Sequence, residues 1–173
     1  PLSDDGDRFK RGRILHALLQ TLPDLPSDAR PTALATYLAE PAHNLSAAQQ
    51  SEIGGEVLAV LDHPDFAPFF GPGSRAEVPL VGDVGTLKPC VISGQVDRLL
   101  VTDTTVTIVD FKTNRPPPKE ETGVAEVYLR QMAAYRAALR QIYPDHEILT
   151  LLLWTDGPQL MRLSDAILDP HTP

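Results

Sequence analysis

The chain has 173 residues, enough for one domain with a real core, and its 42% hydrophobic and 22% charged content excludes a disordered polymer. No apolar run reaches the length of a membrane span, and a net charge of −8 excludes a protein that coats nucleic acid by bulk electrostatics. The single cysteine, Cys90, excludes an internal disulfide framework and a four-cysteine iron–sulfur cluster. The opening Pro-Leu-Ser-Asp-Asp-Gly-Asp has no signal-peptide pattern and no initiator methionine, so a fragment of a larger cytoplasmic protein is expected.

Acidic and capping residues at 3–7 predict a helix from about Asp7 to Leu22, stopped by Pro23. Ile14, Leu15, Leu18, Leu19 and Leu22 form its core stripe. His16 sits at the edge of that stripe and on pattern alone reads as a structural histidine. Arg8, Lys10, Arg11 and Arg13 precede it and on pattern alone read as a solvated helix start.

Residues 23–73 read as a helical insertion. Thr32 to Glu40 predicts a short helix closed by Pro41, and a cap at Asn44 or Ser46 opens a longer one to Leu61, weakened by Gly54-Gly55. The proline-rich run from His63 to Gly73 breaks any helix. Its phenylalanines predict a packed cap or a surface for a neighbouring domain. His43 and His63 match no metal-ligand spacing.

Ser74 to Val81 predicts a strand, with Pro79 marking an edge position or a strand end, and Glu77 reads as solvent-facing, with reach to the site as the alternative. Val91 to Val101 and Val106 to Lys112 predict two more strands. A two-residue loop at Asp103-Thr104 pairs Val101 with Val106 and, continued, sets Asp97 opposite Asp110. Val106, Ile108, Asp110 and Lys112 then share one face, which turns from apolar to charged. Like charges opposed at about 5 Å destabilise a sheet, and a divalent cation is the expected remedy. A strand end surfacing into solvent stays open as the plainer reading.

Arg115-Pro-Pro-Pro-Lys119 is a stiff polar loop. Thr122 to Tyr143 predicts a helix with Val124, Val127, Tyr128, Gln131, Tyr135, Ala138 and Ile142 inward, and with Arg130, Arg136 and Arg140 solvated. Glu147 to Thr155 reads as a buried strand, and Gln159 to Leu163 as a short edge strand after the Asp156-Gly-Pro turn.

Gly94-Gln-Val-Asp97, Asp110-Phe-Lys112, Gln131-Met-Ala-Ala-Tyr135 and Gly12-Arg-Ile-Leu-His16 carry a resemblance, in order, to the RecB-like branch of the PD-(D/E)XK nuclease superfamily. Within it the chain is similar to AddA-type nuclease domains of bacterial helicase–nucleases, over about residues 8–163. The resemblance implies an α/β fold with a restriction-endonuclease-like core of order αβββαβ and a mixed sheet. The core would comprise 8–22 and 74–163 of a single domain spanning 1–173, with 23–73 inserted after the first helix. It implies a Mg²⁺- or Mn²⁺-dependent deoxyribonuclease, an exonuclease of double-strand-break repair; with its single cysteine the chain departs from those RecB-like nucleases that carry an iron–sulfur cluster, and no iron–sulfur cluster is expected. His16, Asp97, Asp110 and the backbone carbonyl of Phe111 would hold the metal. Asp97, Asp110, Lys112, Gln131 and Tyr135 would form the catalytic set, and Arg11, Arg13, Arg115 and Lys119 would touch nucleic acid.

The implied partners are DNA, an N-terminal helicase region of the same parent chain and an AddB-type subunit, without a membrane, in a bacterial, nucleoid-associated setting. The residues also admit a non-cutting DNA- or protein-binding module of the same fold, or a domain in which Asp97 and Asp110 hold a structural ion.

Overall fold

Runs of β-branched residues and leucine form a five-stranded sheet in the computed structural model, which describes residues 2–85 and 90–173, with side chains from residue 6 onward. The strands are β1 (Ser74–Asp83), β2 (Val91–Val101), β3 (Thr105–Lys112), β4 (Glu147–Trp154) and β5 (Gln159–Arg162), lying in sequence order. Neighbours pair antiparallel except β3 and β4, which are parallel. A parallel pair needs a crossover, and helix α5 (Glu126–Ile142) supplies it. The mixed α/β sheet is the restriction-endonuclease-like arrangement expected from the sequence, and Pro79 lies on an edge strand.

Strand alternation splits the core into two layers. Val106 and Ile108 of β3 join Met132 and Leu139 of α5 on one side. Val109 and Phe111 join the other helices, α1 (Leu2–Thr21) and α3 (Ala47–Leu61), on the opposite side. β3 is therefore covered on both faces, and every residue of it after Thr105 is buried, Asp110 and Lys112 included. A short helix α2 (Arg30–Leu38) and a four-residue turn of helix α4 (Ala67–Phe70) complete the second layer. Ser46 and Gln49 close a capping box on α3. Phe66 and Phe69 are buried, and Phe70 stacks on Phe111 with ring centroids 6.0 Å apart, so the phenylalanines form a packed cap over β3.

Three expectations are corrected. Helix α1 begins at Leu2 rather than Asp7, because acidic residues favour the first turns of a helix as well as its cap. Helix α5 is rotated from the predicted face: Val127 is 66% and Ile142 55% exposed, while Leu129, Met132, Ala133 and Leu139 are buried. Arg136, expected in solvent, is 1% exposed. Its guanidinium donates to Asp169 at 2.7 Å, to Thr172 Oγ1 at 3.1 Å and to Asp165, fastening helix α6 (Asp165–Leu168) and the chain end to α5. Among the described residues no helix is long and apolar enough to cross a membrane.

A second buried arginine positions α1. Arg98, on β2, donates from Nη2 to the carbonyls of Leu19 at 2.6 Å and Gln20 at 3.1 Å, with its guanidinium 5.1 Å from the Phe70 ring centroid. Burial lowers its pKa, yet it stays cationic and caps the negative end of the helix that carries His16. Arg98→Met is expected to keep the packing and lose the cap, costing about 2 kcal/mol. Urea unfolding measures this, and an unchanged midpoint would contradict the capping role.

Candidate active site

The β2–β3 hairpin closes on the expected two-residue loop. Thr102 Oγ1 accepts the backbone N–H groups of Thr104 at 3.4 Å and Thr105 at 3.0 Å. Val101 pairs with Val106, Leu100 with Thr107, Leu99 with Ile108 and Arg98 with Val109, which is the predicted register. The ladder then stops one pair short of Asp97 and Asp110. Asp97 Oδ2 instead accepts the backbone N–H of Phe111 at 2.6 Å. A side-chain oxygen thus takes the ladder's place, and β2 continues with β1 alone.

The expected carboxylate repulsion is met by separate partners. Asp97 Oδ1 lies 3.2 Å from His16 Nδ1, and Asp110 Oδ2 lies 2.5 Å from Lys112 Nζ. Asp97, Asp110 and Lys112 are all buried, and ion pairing makes that tolerable. Burial pushes the Asp110 carboxyl up, the Lys112 ammonium opposes this and the Asp97 charge adds to it. Burial works to lower the His16 pKa, but the hydrogen bond and charge of Asp97, with Asp110 behind, outweigh it and the net shift is upward. Among the described residues, no three His, Cys, Asp or Glu side chains are gathered closely enough to hold a metal. His16 Nδ1, both Asp97 oxygens and Asp110 Oδ2 are each turned to a protein partner.

Lys112 begins a polar chain toward α5. Its Nζ donates to Gln131 Oε1 at 3.1 Å, and Gln131 Nε2 donates to Tyr135 Oη at 3.2 Å. Tyr135 Oη in turn bonds the backbone oxygen and N–H of Gln95, each at 3.2 Å. Gln131 and Tyr135, one helical turn apart, thereby tie the lysine to β2. Lys112 Nζ also sits 4.0 Å from the Tyr128 ring centroid, and Tyr128 Oη donates to Asn114 Oδ1 at 2.9 Å. Tyr128 carried no role in the sequence reading, because an aromatic on an inward helix face usually signals core.

Of the two readings of Glu77, the structure favours the one in which it reaches the site, half-buried rather than solvent-facing. It has φ +52° inside β1, and the pairs Ala76–Arg98 and Val78–Val96 flank it without a pair of its own. Such a backbone is strained for a non-glycine residue. Gln95 Nε2 holds its carbonyl at 3.1 Å, and its side chain lines the same cavity as His16 and Asp97. Burial first, and the Asp97 charge second, raise its pKa. Register counting would have set Glu77 opposite Asp97, but the seven residues between β1 and β2 are too many for the two-residue hairpin rule to fix that register.

A cavity of about 1070 Å³ is lined by His16, Asp97 and Glu77, together with Phe9 and Arg13 of α1 and Asn114 and Tyr128, whereas Asp110, Lys112, Gln131 and Tyr135 lie outside the lining. The four cations expected at nucleic acid divide. Arg13 is exposed and lines the cavity. Lys119 is exposed but lies outside the lining. Arg11 and Arg115 line the cavity, yet both bind the buried Glu56 of α3, so their charge is largely spent within the protein. Arg11 also donates to the Thr113 carbonyl at 3.0 Å, and Arg115 adds Glu52 and, at 3.4 Å, Asp156. The arginine pair therefore braces α3 against the end of β3. This could not be read from sequence, because Glu56 lies in a segment with no recognisable motif.

No curated protein matches the chain. Among solved structures, one described as "Crystal structure of SSO0001" is similar at 16% identity and a TM-score of 0.37, covering 93% of this chain and 81% of that one. Residues 2–161 match the family described as the PD-(D/E)XK nuclease superfamily. That match spans most of the sequence and contains both site strands, Lys112 and the α5 pair, and the chain belongs to the PD-(D/E)XK nuclease superfamily.

Proposed function

We propose that the protein is a divalent-metal-dependent deoxyribonuclease of the RecB-like branch that hydrolyses phosphodiesters. The observation that carries this reading is the meeting of Asp97, Asp110 and Lys112 with His16, of which His16 and Asp97 line one large cavity while Asp110 and Lys112 lie buried behind them. The donor set suits a hard cation: two carboxylates, an imidazole and the Phe111 carbonyl favour Mg²⁺, with the imidazole leaning toward Mn²⁺. Asp110 Oδ2 is buried and, apart from the Lys112 ion pair, has no well-aligned hydrogen bond, as a ligand oxygen would. When bound, such a metal lowers the pKa of water and balances phosphate charge.

The chain's own residues would supply the rest. Lys112 is a fixed positive charge for the attacking water and the phosphate oxygens, and Gln131 and Tyr135 hold its ammonium in place. His16 and the Phe111 N–H hold the Asp97 carboxylate in one orientation. The remaining elements of the reading are exonuclease action, membership of an AddA-type helicase–nuclease in double-strand-break repair, and docking to a helicase region and an AddB-type subunit. They rest on the motif order alone. So does the division into a core at 8–22 and 74–163 with an insertion at 23–73.

A second reading is a non-cutting DNA- or protein-binding module. The ion pairs that already balance both carboxylates favour it. End-labelled single- and double-stranded DNA incubated with the protein in Mg²⁺, in Mn²⁺ and in EDTA separates the two. Cleavage with either metal that EDTA and Asp97→Ala abolish is expected. DNA left intact under every condition would overturn the nuclease reading.

A further inference from the structure

Phe9 is 77% exposed, although it lies on the cavity-facing side of α1. Phe9, Arg13 and His16 recur at helical spacing, so one face of α1 runs from an aromatic ring through a guanidinium to the candidate metal ligand. The distance from Phe9 to His16 along the axis is about 10 Å. An exposed phenylalanine alone is ordinary, but among the described residues no other large exposed hydrophobic side chain shares the cavity lining with this ring. Arg13, Gln20 and Gln95 share the cavity lining, whereas the other large exposed hydrophobic side chains, such as Val81, Val127 and Ile142, lie outside it. A protein contact would bring a contiguous apolar patch. A single π-face beside a cation, at the mouth of a cavity lined by both apolar and charged groups, instead matches a nucleobase and its phosphate.

We propose that Phe9 and Arg13 form the entry lip of the site, with Phe9 stacking on an unpaired base of the strand and Arg13 contacting its phosphate. A ring can stack only on a base that has left its pair, so the lip selects an unpaired strand over a closed duplex. Arg13 suits the phosphate because it is exposed and forms no ion pair among the described residues, unlike Arg11 and Arg115. This proposal rests on the nuclease reading and assigns the strand's path to its site.

The test is binding of fluorescein-labelled oligothymidylate and of a duplex of equal length, by anisotropy in EDTA across a salt series. Wild type, Phe9→Ala, Phe9→Trp and Arg13→Ala are compared. Both positions are exposed, and circular dichroism checks that each variant folds. Phe9→Ala is expected to weaken oligothymidylate about tenfold with the salt slope unchanged. Phe9→Trp should keep the affinity, with its emission quenched on binding while the buried Trp154 contributes a constant background. Arg13→Ala should lower the salt slope by about 1. If wild type binds and cuts but Phe9→Ala binds equally well, the lip is wrong, the ring belongs to a protein contact, and the nuclease reading survives. If wild type neither binds nor cuts DNA, both fall.

Discussion

Lys112→Ala is expected to slow DNA cleavage by about 10²–10³-fold, the cost of removing a preorganised charge from a developing anion. The lysine is 8% exposed and held by Gln131 Oε1, the Tyr128 face and Asp110, so its ammonium is fixed before substrate arrives. Removing it acts on the metal in the opposite sense. The ammonium 2.5 Å from Asp110 Oδ2 competes with any cation for that oxygen, so the variant is expected to bind Mn²⁺ as well as wild type or better. It should also melt lower in EDTA and recover with metal, because the buried Asp110 loses its counter-charge. Single-turnover cleavage with a parallel Mn²⁺ titration checks this. A variant that cuts at the wild-type rate contradicts the assignment of Lys112.

Gly94→Ala is expected to destabilise the fold and weaken cleavage together. A Cβ at position 94 would lie 2.4 Å from Tyr135 Oη and within 3 Å of two of its ring carbons. Tyr135 cannot simply swing aside, since it is 7% exposed and its hydroxyl bonds both the Gln95 backbone and Gln131. Overpacking of this kind costs about 1–3 kcal/mol, and a domain of this size should lose about 5 °C of melting temperature. Cleavage should fall as well, because Gln131 is the link from Tyr135 to Lys112. Identical melting curves would mean that the tyrosine is not held as described.

Much of this was legible in the sequence because the signals were local. The loop at Asp103-Thr104 set the hairpin register, and period-two alternation placed Asp110 and Lys112 on one face of β3. The spacing of Gln131 and Tyr135 put them on one side of α5. What escaped was set by contacts between distant segments. Arg136 is buried because α6 brings Asp165 and Asp169 to it, and Arg11 and Arg115 are occupied because α3 brings Glu56. The strained turn of β1 at Glu77 has no sequence signature, as glutamate is not a residue that favours a positive φ. The expected pairing of Asp97 with Asp110 failed by one ladder step for a similar reason: the Phe111 N–H offered Asp97 a closer partner.

The central claim is that Asp97, Asp110 and His16 form a divalent-metal site. Its most direct test is a calorimetric Mn²⁺ titration of the wild-type protein beside Asp110→Ala, both confirmed folded by circular dichroism. Saturable binding in wild type that vanishes in the variant is the predicted result. Equal binding in both, or none in either, would contradict the metal site and leave the non-cutting module as the better account of the fold.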